Sequence, residues 1–264
     1  MKSRLDVFLV EKGLAPSRSR AQSLIESGCI SVNGKAAAKS SMTVEEEDEV
    51  TVTGLDHPFV SRGGLKLLKA LECFNVDVTD KTCADLGAST GGFTDCLLKH
   101  GADYVYAVDT GHDQLSEELK SNSHVCNMEG VNARDLNASD FERRISVVVS
   151  DVSFISLTKI LPAIYNISEE DMDGLCLIKP QFEAGREHIG KKGVVKDRKV
   201  HLSVLENIYD FCVNTGFTVE NITYSPIRGP EGNIEYLLHL KKKGSTCMDR
   251  NSLKRIVNEG FSNV

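Results

Sequence analysis

The stretch Thr82-Cys-Ala-Asp-Leu-Gly-Ala-Ser-Thr-Gly-Gly-Phe93 decides how the chain is organised. A short apolar run enters a glycine-rich turn, and helical spacing of apolar residues takes over across Thr94–His100. The same strand, turn and helix pattern recurs on both sides of the next turns. Candidate strands at Thr82–Leu86, Tyr104–Val108, His124–Met128, Ile145–Ser150 and Leu175–Ile178 alternate with helical patterns near Thr94–His100, Gln114–Ser121 and Leu157–Tyr165. Such alternation predicts a parallel sheet covered by helices on both faces. A long helix is expected around 200–215, followed by strands near 217–224 and 234–241 that lie close enough to pair antiparallel. The fold class is therefore α/β, an open and mostly parallel sheet whose last strand is antiparallel.

Upstream of this sheet the pattern differs. Leu5, Phe8, Leu9 and Leu14 follow helical spacing up to Gly13, and a second helix from Ser17 places Ala21, Leu24 and Ile25 on one face before Gly28. Ile30-Ser-Val32 alternates into Asn33-Gly34, a hairpin signal, and Glu49-Val-Thr-Val-Thr53 reads as a further strand. The acidic run Glu45–Glu49 between them reads as a solvated turn. These elements predict a small α+β unit over residues 1–54. Gly54–Pro58 marks the connection, which sets a linker at 55–60 and the large domain at 61–264.

The formal net charge is −7, yet residues 1–40 hold seven basic residues against three acidic ones. That segment is +4 and the remainder −11; a basic end on an acidic chain points to a localised phosphate-binding surface there. The eight cysteines lack a C-x-x-C pair. Reduced, mostly buried thiols are expected, with no metal. No apolar stretch reaches about 18 residues, and the run Val7–Val10 is too short for a secretory signal. A cytoplasmic protein without membrane contact is expected.

The turn after the first strand reads D-x-G-x-x-x-G-G rather than the G-x-G-x-x-G of dinucleotide sites. Its candidate ligand contacts are Asp85, Gly87, Ser89, Gly91, Gly92 and Phe93. The second strand ends in Asp109, 22 residues past Gly87, where an acid commonly bonds adenosine ribose hydroxyls. Acid, glycine, then paired glycines resembles the S-adenosylmethionine turn of methyltransferases. Asp135, after the third strand, is a candidate adenine contact.

Strand four runs into Asp151 and strand five into Lys179, so both side chains sit at the sheet edge that carries the turn. Lys66 starts a helix before strand one, and Glu235 precedes the last strand. The order Lys66, Asp151, Lys179, Glu235 resembles the K-D-K-E tetrad of FtsJ/RrmJ-type RNA 2′-O-methyltransferases. Over nearly its whole length the chain resembles the TlyA (haemolysin A) family. The carriers are the L-D-x-x-L-V-x-x-G-L-A-x-S-R-x-x-A stretch from Leu5 to Ala21, Val60-Ser-Arg-Gly-Gly64, Gly87-Ala-Ser-Thr-Gly-Gly-Phe-Thr94, Asp151-Val-Ser-Phe-Ile-Ser-Leu157, Lys179-Pro-Gln-Phe-Glu183 and Gly232-Asn-Ile-Glu-Tyr236. Residues 5–34 also resemble the S4 RNA-binding domain.

The resemblance implies a Rossmann-like methyltransferase fold. It also implies methyl transfer from S-adenosylmethionine to a cytidine 2′-hydroxyl of small-subunit, and in some members large-subunit, ribosomal RNA. Lys66, Asp151, Lys179 and Glu235 would be catalytic, with Asp151 also at the cofactor. The S4 resemblance points to Arg18 and Arg20 as phosphate contacts, and Arg4, Lys35 and Arg62 join them as basic candidates. Thr90 and Phe93 stand where RrmJ-type enzymes carry Pro and Trp. Lys179 could act as a base if burial and a nearby cation lower its pKa, or could stay charged and steady the developing alkoxide. The ribosomal subunit is the implied partner; oligomeric state is not legible.

Residues 183–199 place six basic residues, three acids and three glycines directly after Lys179, a lid or RNA clamp against the alternative of a solvated loop. Three rival functions are a haemolysin, which needs a membrane-active segment, a non-catalytic assembly factor, and an S4-containing pseudouridine synthase, which needs a different catalytic domain.

Overall fold

The computed structural model describes residues 2–15, 17–26, 29–37, 39–52, 57–229, 231–244 and 248–264. They form two compact units, residues 1–62 and 63–264. Expectations resting on Gly28, Thr53 and linker residues 54–56 lie outside the described residues.

The amino-terminal unit contains β1 (Ser3–Arg4), α1 (Leu5–Glu11), α2 (Arg18–Glu26), β2 (Ile30–Val32), β3 (Lys35–Ala36), β4 (Thr43–Val44) and β5 (Val50–Val52). Strands β3, β2 and β5 form an antiparallel sheet and β1 pairs with β4. Leu5, Phe8 and Leu9 of α1 meet Ala21, Leu24 and Ile25 of α2 in one core with Ile30, Val32 and Val44. Leu14 departs from its expected place. Gly13, at φ +69°, turns the chain after α1, and Leu14 is left 37% exposed. Asn33 and Gly34, at φ +52° and +75°, make the hairpin turn between β2 and β3. In the acidic run, Asp48 accepts from the Glu45 N–H and the Asn33 amide, both at 2.7 Å.

The larger unit runs α3 (Gly63–Phe74), β6 (Thr82–Leu86), α4 (Gly92–Lys99), β7 (Tyr104–Asp109), α5 (Glu117–Lys120), β8 (Val125–Glu129), β9 (Ile145–Ser150), α6 (Leu161–Ile167), β10 (Ser168–Ile178), α7 (Pro180–Glu183), α8 (Arg198–Asn214), β11 (Thr218–Tyr224), β12 (Tyr236–Lys241) and α9 (Leu253–Asn263). Its seven-stranded sheet has the order β11-β12-β10-β9-β6-β7-β8. β12 is antiparallel to both β10 and β11, and the other neighbours are parallel. The expected antiparallel pair therefore forms with its second strand inserted beside β10.

Alternation along the strands divides the core between the two sheet faces. Leu238, Leu240 and Cys176 join α6, α8 and α9 on one side. Leu175, Leu177 and Leu237 meet Leu67 and Ala70 of α3 and Phe93 of α4 on the other. Helix α9, absent from the sequence reading, buries Leu253, Ile256, Val257 and Gly260 at helical spacing. Burial pushes the Cys83, Cys96 and Cys176 thiols up to about 12, which keeps them protonated and inert. Among the described residues no disulfide forms, and no helix is long and apolar enough to cross a membrane.

Candidate active site

The carboxyl ends of β6, β7 and β9 open on a cleft of about 650 Å³, within the range of small-molecule sites. Gly87, Ser89, Asp109, Asn132, Asp151 and Phe154 are among its walls. Gly87 is required twice over. Its φ is +86°, and a Cβ would stand 3.1 Å from the backbone of Asp151 and Val152. The turn so formed aims the Ser89 N–H at Asp109 Oδ2 (2.8 Å), while Gly111 N–H donates to Oδ1 (2.7 Å). A carboxylate has about four acceptor positions, so Asp109 is fixed in place and still able to accept from a ligand.

The other turn residues act as framework. Asp85 is fully buried and accepts from Thr94 Oγ1 at 2.7 Å. Its second oxygen has no hydrogen-bond partner among the described residues. Burial, with the charges of Asp151 and Asp109 nearby, pushes its carboxyl up to about 7. Gly91, at φ +95°, leads into α4, which starts at Gly92. Phe93 is buried against α3 and β10 rather than in the cleft. Asp135 is exposed in the short 3₁₀ turn Ala133–Asp135, and the cleft wall there is formed by Val131, Asn132, Ala133 and Arg134.

Lys66, Asp151, Lys179 and Glu235 come together at the same edge as one chain of ion pairs. Lys66 Nζ lies 2.6 Å from Glu235 Oε2 and 3.6 Å from Asp151 Oδ2; Lys179 Nζ lies 2.6 Å from Asp151 Oδ1. All but Asp151 are buried. Signs alternate along the chain and the charges cancel, the arrangement that makes burial of Lys66, Lys179 and Glu235 tolerable. Lys179 Nζ also donates to Ser153 Oγ (2.8 Å) and to the Asp151 carbonyl (3.2 Å). Its ammonium thus makes two hydrogen bonds and one ion pair.

Several neighbours escaped the sequence reading as individuals. Ser153, within the Asp151–Leu157 motif, holds Lys179. Glu183 accepts from Ser156 Oγ (2.6 Å) and the Leu157 N–H (2.7 Å), tying the segment after Lys179 to the segment after Asp151; burial raises its pKa. Phe154, at φ +62°, is 91% exposed on the cleft and packs against Phe182. Glu129 accepts three backbone N–H groups from Asp113, Gln114 and Leu115. Those bonds, led by the one from Leu115, lower its carboxyl to about 2.

In the amino-terminal unit, Arg4 and Arg18 converge on a buried carboxylate. Asp6 accepts from Arg4 Nε and Nη2 (both 3.0 Å), Arg18 Nη2 (3.1 Å) and Gln22 Nε2 (3.0 Å). The Arg4 guanidinium, most of all, holds the Asp6 carboxyl well below the usual carboxylate range. Lys35 is exposed on β3 and Arg62 is half-buried at the end of the unit. The side chain of Arg20 lies outside the described residues.

Residues 59–242 match the FtsJ-like methyltransferase family, and residues 3–50 match the S4 domain. A Bacillus subtilis protein named "Putative rRNA methyltransferase YqxC" is 46% identical over 92% of this chain and 87% of its own. The Mycobacterium tuberculosis 16S/23S rRNA (cytidine-2′-O)-methyltransferase TlyA is 37% identical over 99% of this chain and 98% of its own. A solved structure described as "Putative hemolysin from Streptococcus thermophilus" superposes with a TM-score of 0.81 at 41% identity, covering 99% of this chain and 96% of the other. The chain belongs to the TlyA (haemolysin A) family, in which an amino-terminal S4 domain precedes an FtsJ-like methyltransferase domain.

Proposed function

We propose that this protein is an S-adenosylmethionine-dependent ribosomal RNA 2′-O-methyltransferase acting on cytidine. The observation that carries the reading is the Glu235–Lys66–Asp151–Lys179 chain of ion pairs at the lip of the Gly87–Asp109 cleft. The cleft fits the donor on its own terms: close backbone approach at Gly87, a pre-positioned carboxylate at Asp109, and the acid of Asp151 facing a cation. When bound, S-adenosylmethionine supplies an electrophilic methyl group on a sulfonium. Asp109 would hold its ribose hydroxyls, and the Val131–Arg134 wall, in place of Asp135, would take its adenine.

The remaining chemistry falls to the protein. A ribose hydroxyl is a weak nucleophile and must be held in line and stabilised as its proton departs. An ion pair and two hydrogen bonds at Lys179 Nζ suit a charged ammonium, which favours electrostatic stabilisation of the oxygen over general-base action. Asp151 orients Lys179 and Lys66, and Glu235 anchors Lys66. The exposed ring of Phe154 suits stacking by an unpaired base. Arg4 and Arg18 would contact phosphates from the amino-terminal unit.

Ribosomal subunits incubated with the protein and radiolabelled donor should gain 2′-O-methylcytidine at defined positions. Donor binding without any transfer would instead leave a non-catalytic assembly factor. Asp109→Ala should weaken donor binding by roughly 10- to 100-fold in calorimetry, the effect of losing hydrogen bonds to a charged acceptor. Unchanged affinity would remove Asp109 from the donor site.

A further inference from the structure

A second cavity, of about 710 Å³, lies at the same carboxyl edge of the sheet but beyond β10, among the loops that follow β10 and join β11 to β12. Lys191, Lys192, Lys196 and Arg228 line it, together with Glu231 and Phe261. Along the sheet edge the order is therefore donor cleft at β7, β6 and β9, ion-pair chain at β9, β10 and β12, basic cavity at β12 and β11. Methyl donor and basic cavity flank the tetrad from opposite sides.

The lysine-bearing loop is fastened in place. Gly193 N–H donates to the Gly190 carbonyl (2.8 Å) and Gly190 N–H to Val194 (3.1 Å), closing a turn with Lys191 and Lys192 at its tip. Val195, buried, is gripped at both backbone groups. Its N–H donates to Asn233 Oδ1 (3.0 Å) and its carbonyl lies 3.0 Å from His201 Nε2. A carbonyl only accepts, so Nε2 carries the proton and Nδ1 accepts from Tyr236 Oη at 2.8 Å. Asn233 Nδ2 adds a bond to the Gly193 carbonyl (2.9 Å). Asn233 and His201 are both buried, and Asn233 and Tyr236 bracket Glu235 in sequence. The loop is thus fixed to the segment that carries a tetrad residue. Arg228 donates to the Gly232 carbonyl and to a main-chain oxygen of Val264.

We infer that this cavity binds the phosphodiester backbone of the substrate RNA next to the methylated ribose, with Lys191, Lys192 and Lys196 as point charges and Arg228 as a fixed donor. The inference rests on the proposed RNA methyltransferase activity and specifies where the strand enters. Lysines on a pinned turn meet phosphates without first having to order a loop, and they carry no sequence preference.

The test is the salt dependence of binding to deproteinised small-subunit ribosomal RNA by the full chain. The variant Lys191→Ala, Lys192→Ala, Lys196→Ala is compared with Arg143→Ala, Arg144→Ala, Lys243→Ala, which removes equal charge at the opposite sheet edge, where the parallel strands begin. Loss of three phosphate contacts should lower the slope of log K against log salt by about 2–3 and weaken binding at least tenfold at moderate salt. The control should keep the wild-type slope, and both should bind S-adenosylmethionine normally. If both triple variants shift the slope alike, or neither does, the cavity is not a phosphate site. Methyl transfer by the unaltered protein is scored separately, so its absence would overturn the proposed activity and not this assignment.

Discussion

Lys179→Ala is expected to cut turnover on ribosomal RNA by about 10²-fold or more, with donor affinity changed by no more than a few-fold. Among the described residues its ammonium meets Asp151, Ser153 and, at 5.9 Å, the ring of Phe182. Removing it leaves Asp151 with Lys66 alone, at 3.6 Å, so the donor wall persists while the charge opposite the reacting oxygen is lost. Lys179→Arg should fail as well, because a planar guanidinium cannot stand as a point charge between Asp151 and Ser153. Single-turnover kinetics with saturating donor provides the measurement. The pH–rate profile separates the two roles: a charged lysine gives a rate that falls as the amine loses its proton, and a general base gives one that rises. Near-normal turnover in Lys179→Ala would sink both.

Asp6→Ala should raise the opening equilibrium of the amino-terminal unit by about 30-fold and weaken methylation of ribosomal RNA without affecting donor binding. Asp6 is buried, and four donors from Arg4, Arg18 and Gln22 surround its carboxylate. Both guanidiniums are about half exposed, so the loss is set at about 2 kcal/mol, toward the low end for bonds to a charged group. A unit of this size commands only about 3–5 kcal/mol. The carboxyl is held below its ordinary range in the folded unit. Its stabilising effect is therefore complete above pH ~4, the unfolded value, and fades as pH falls below it. Hydrogen exchange resolved by unit, measured against pH, reads this directly. A wild-type exchange pattern in Asp6→Ala would show that the hub is not what holds the unit. Without Asp6 the two arginines repel each other, and any shared grip on phosphate is lost.

The parallel core of the sheet was readable because its signal is local. β6 and β9 are apolar runs with glycine or acid directly after them, and their bounds match the expected ones. β10 was not: it begins at Ser168, and Ser168-Glu-Glu-Asp-Met-Asp173 carries the charge of a loop. Those acids are satisfied by partners far away in sequence, Asp173 by His239 and Lys241, Glu170 by Lys243. α5 was expected from Gln114 but starts at Glu117, since Ser116 is extended (φ −62°, ψ 145°) and Glu129 holds the preceding turn by the Gln114 and Leu115 N–H groups. The four tetrad positions were found through their order in a family pattern; Lys66 and Glu235 carry no local mark. Ser153 lay inside a quoted motif without being singled out, because its value depends on where Lys179 Nζ falls. Phe154 hid for the opposite reason. An aromatic after a strand reads as core, and only its left-handed backbone turns it outward.

Because β12 runs against its neighbours, its first residues and not its last stand at the catalytic edge, and Lys66 meets a partner 169 positions later. During synthesis this separation becomes a delay. Every residue lining the donor cleft has been added by Ile160, whereas Glu235 follows 75 residues later. At about 5–20 residues per second that interval is roughly 4–15 s. A nascent chain could therefore complete the Gly87–Asp109 cleft well before Glu235 arrives to neutralise Lys66, and the ion-pair chain is assembled only when the unit is nearly whole.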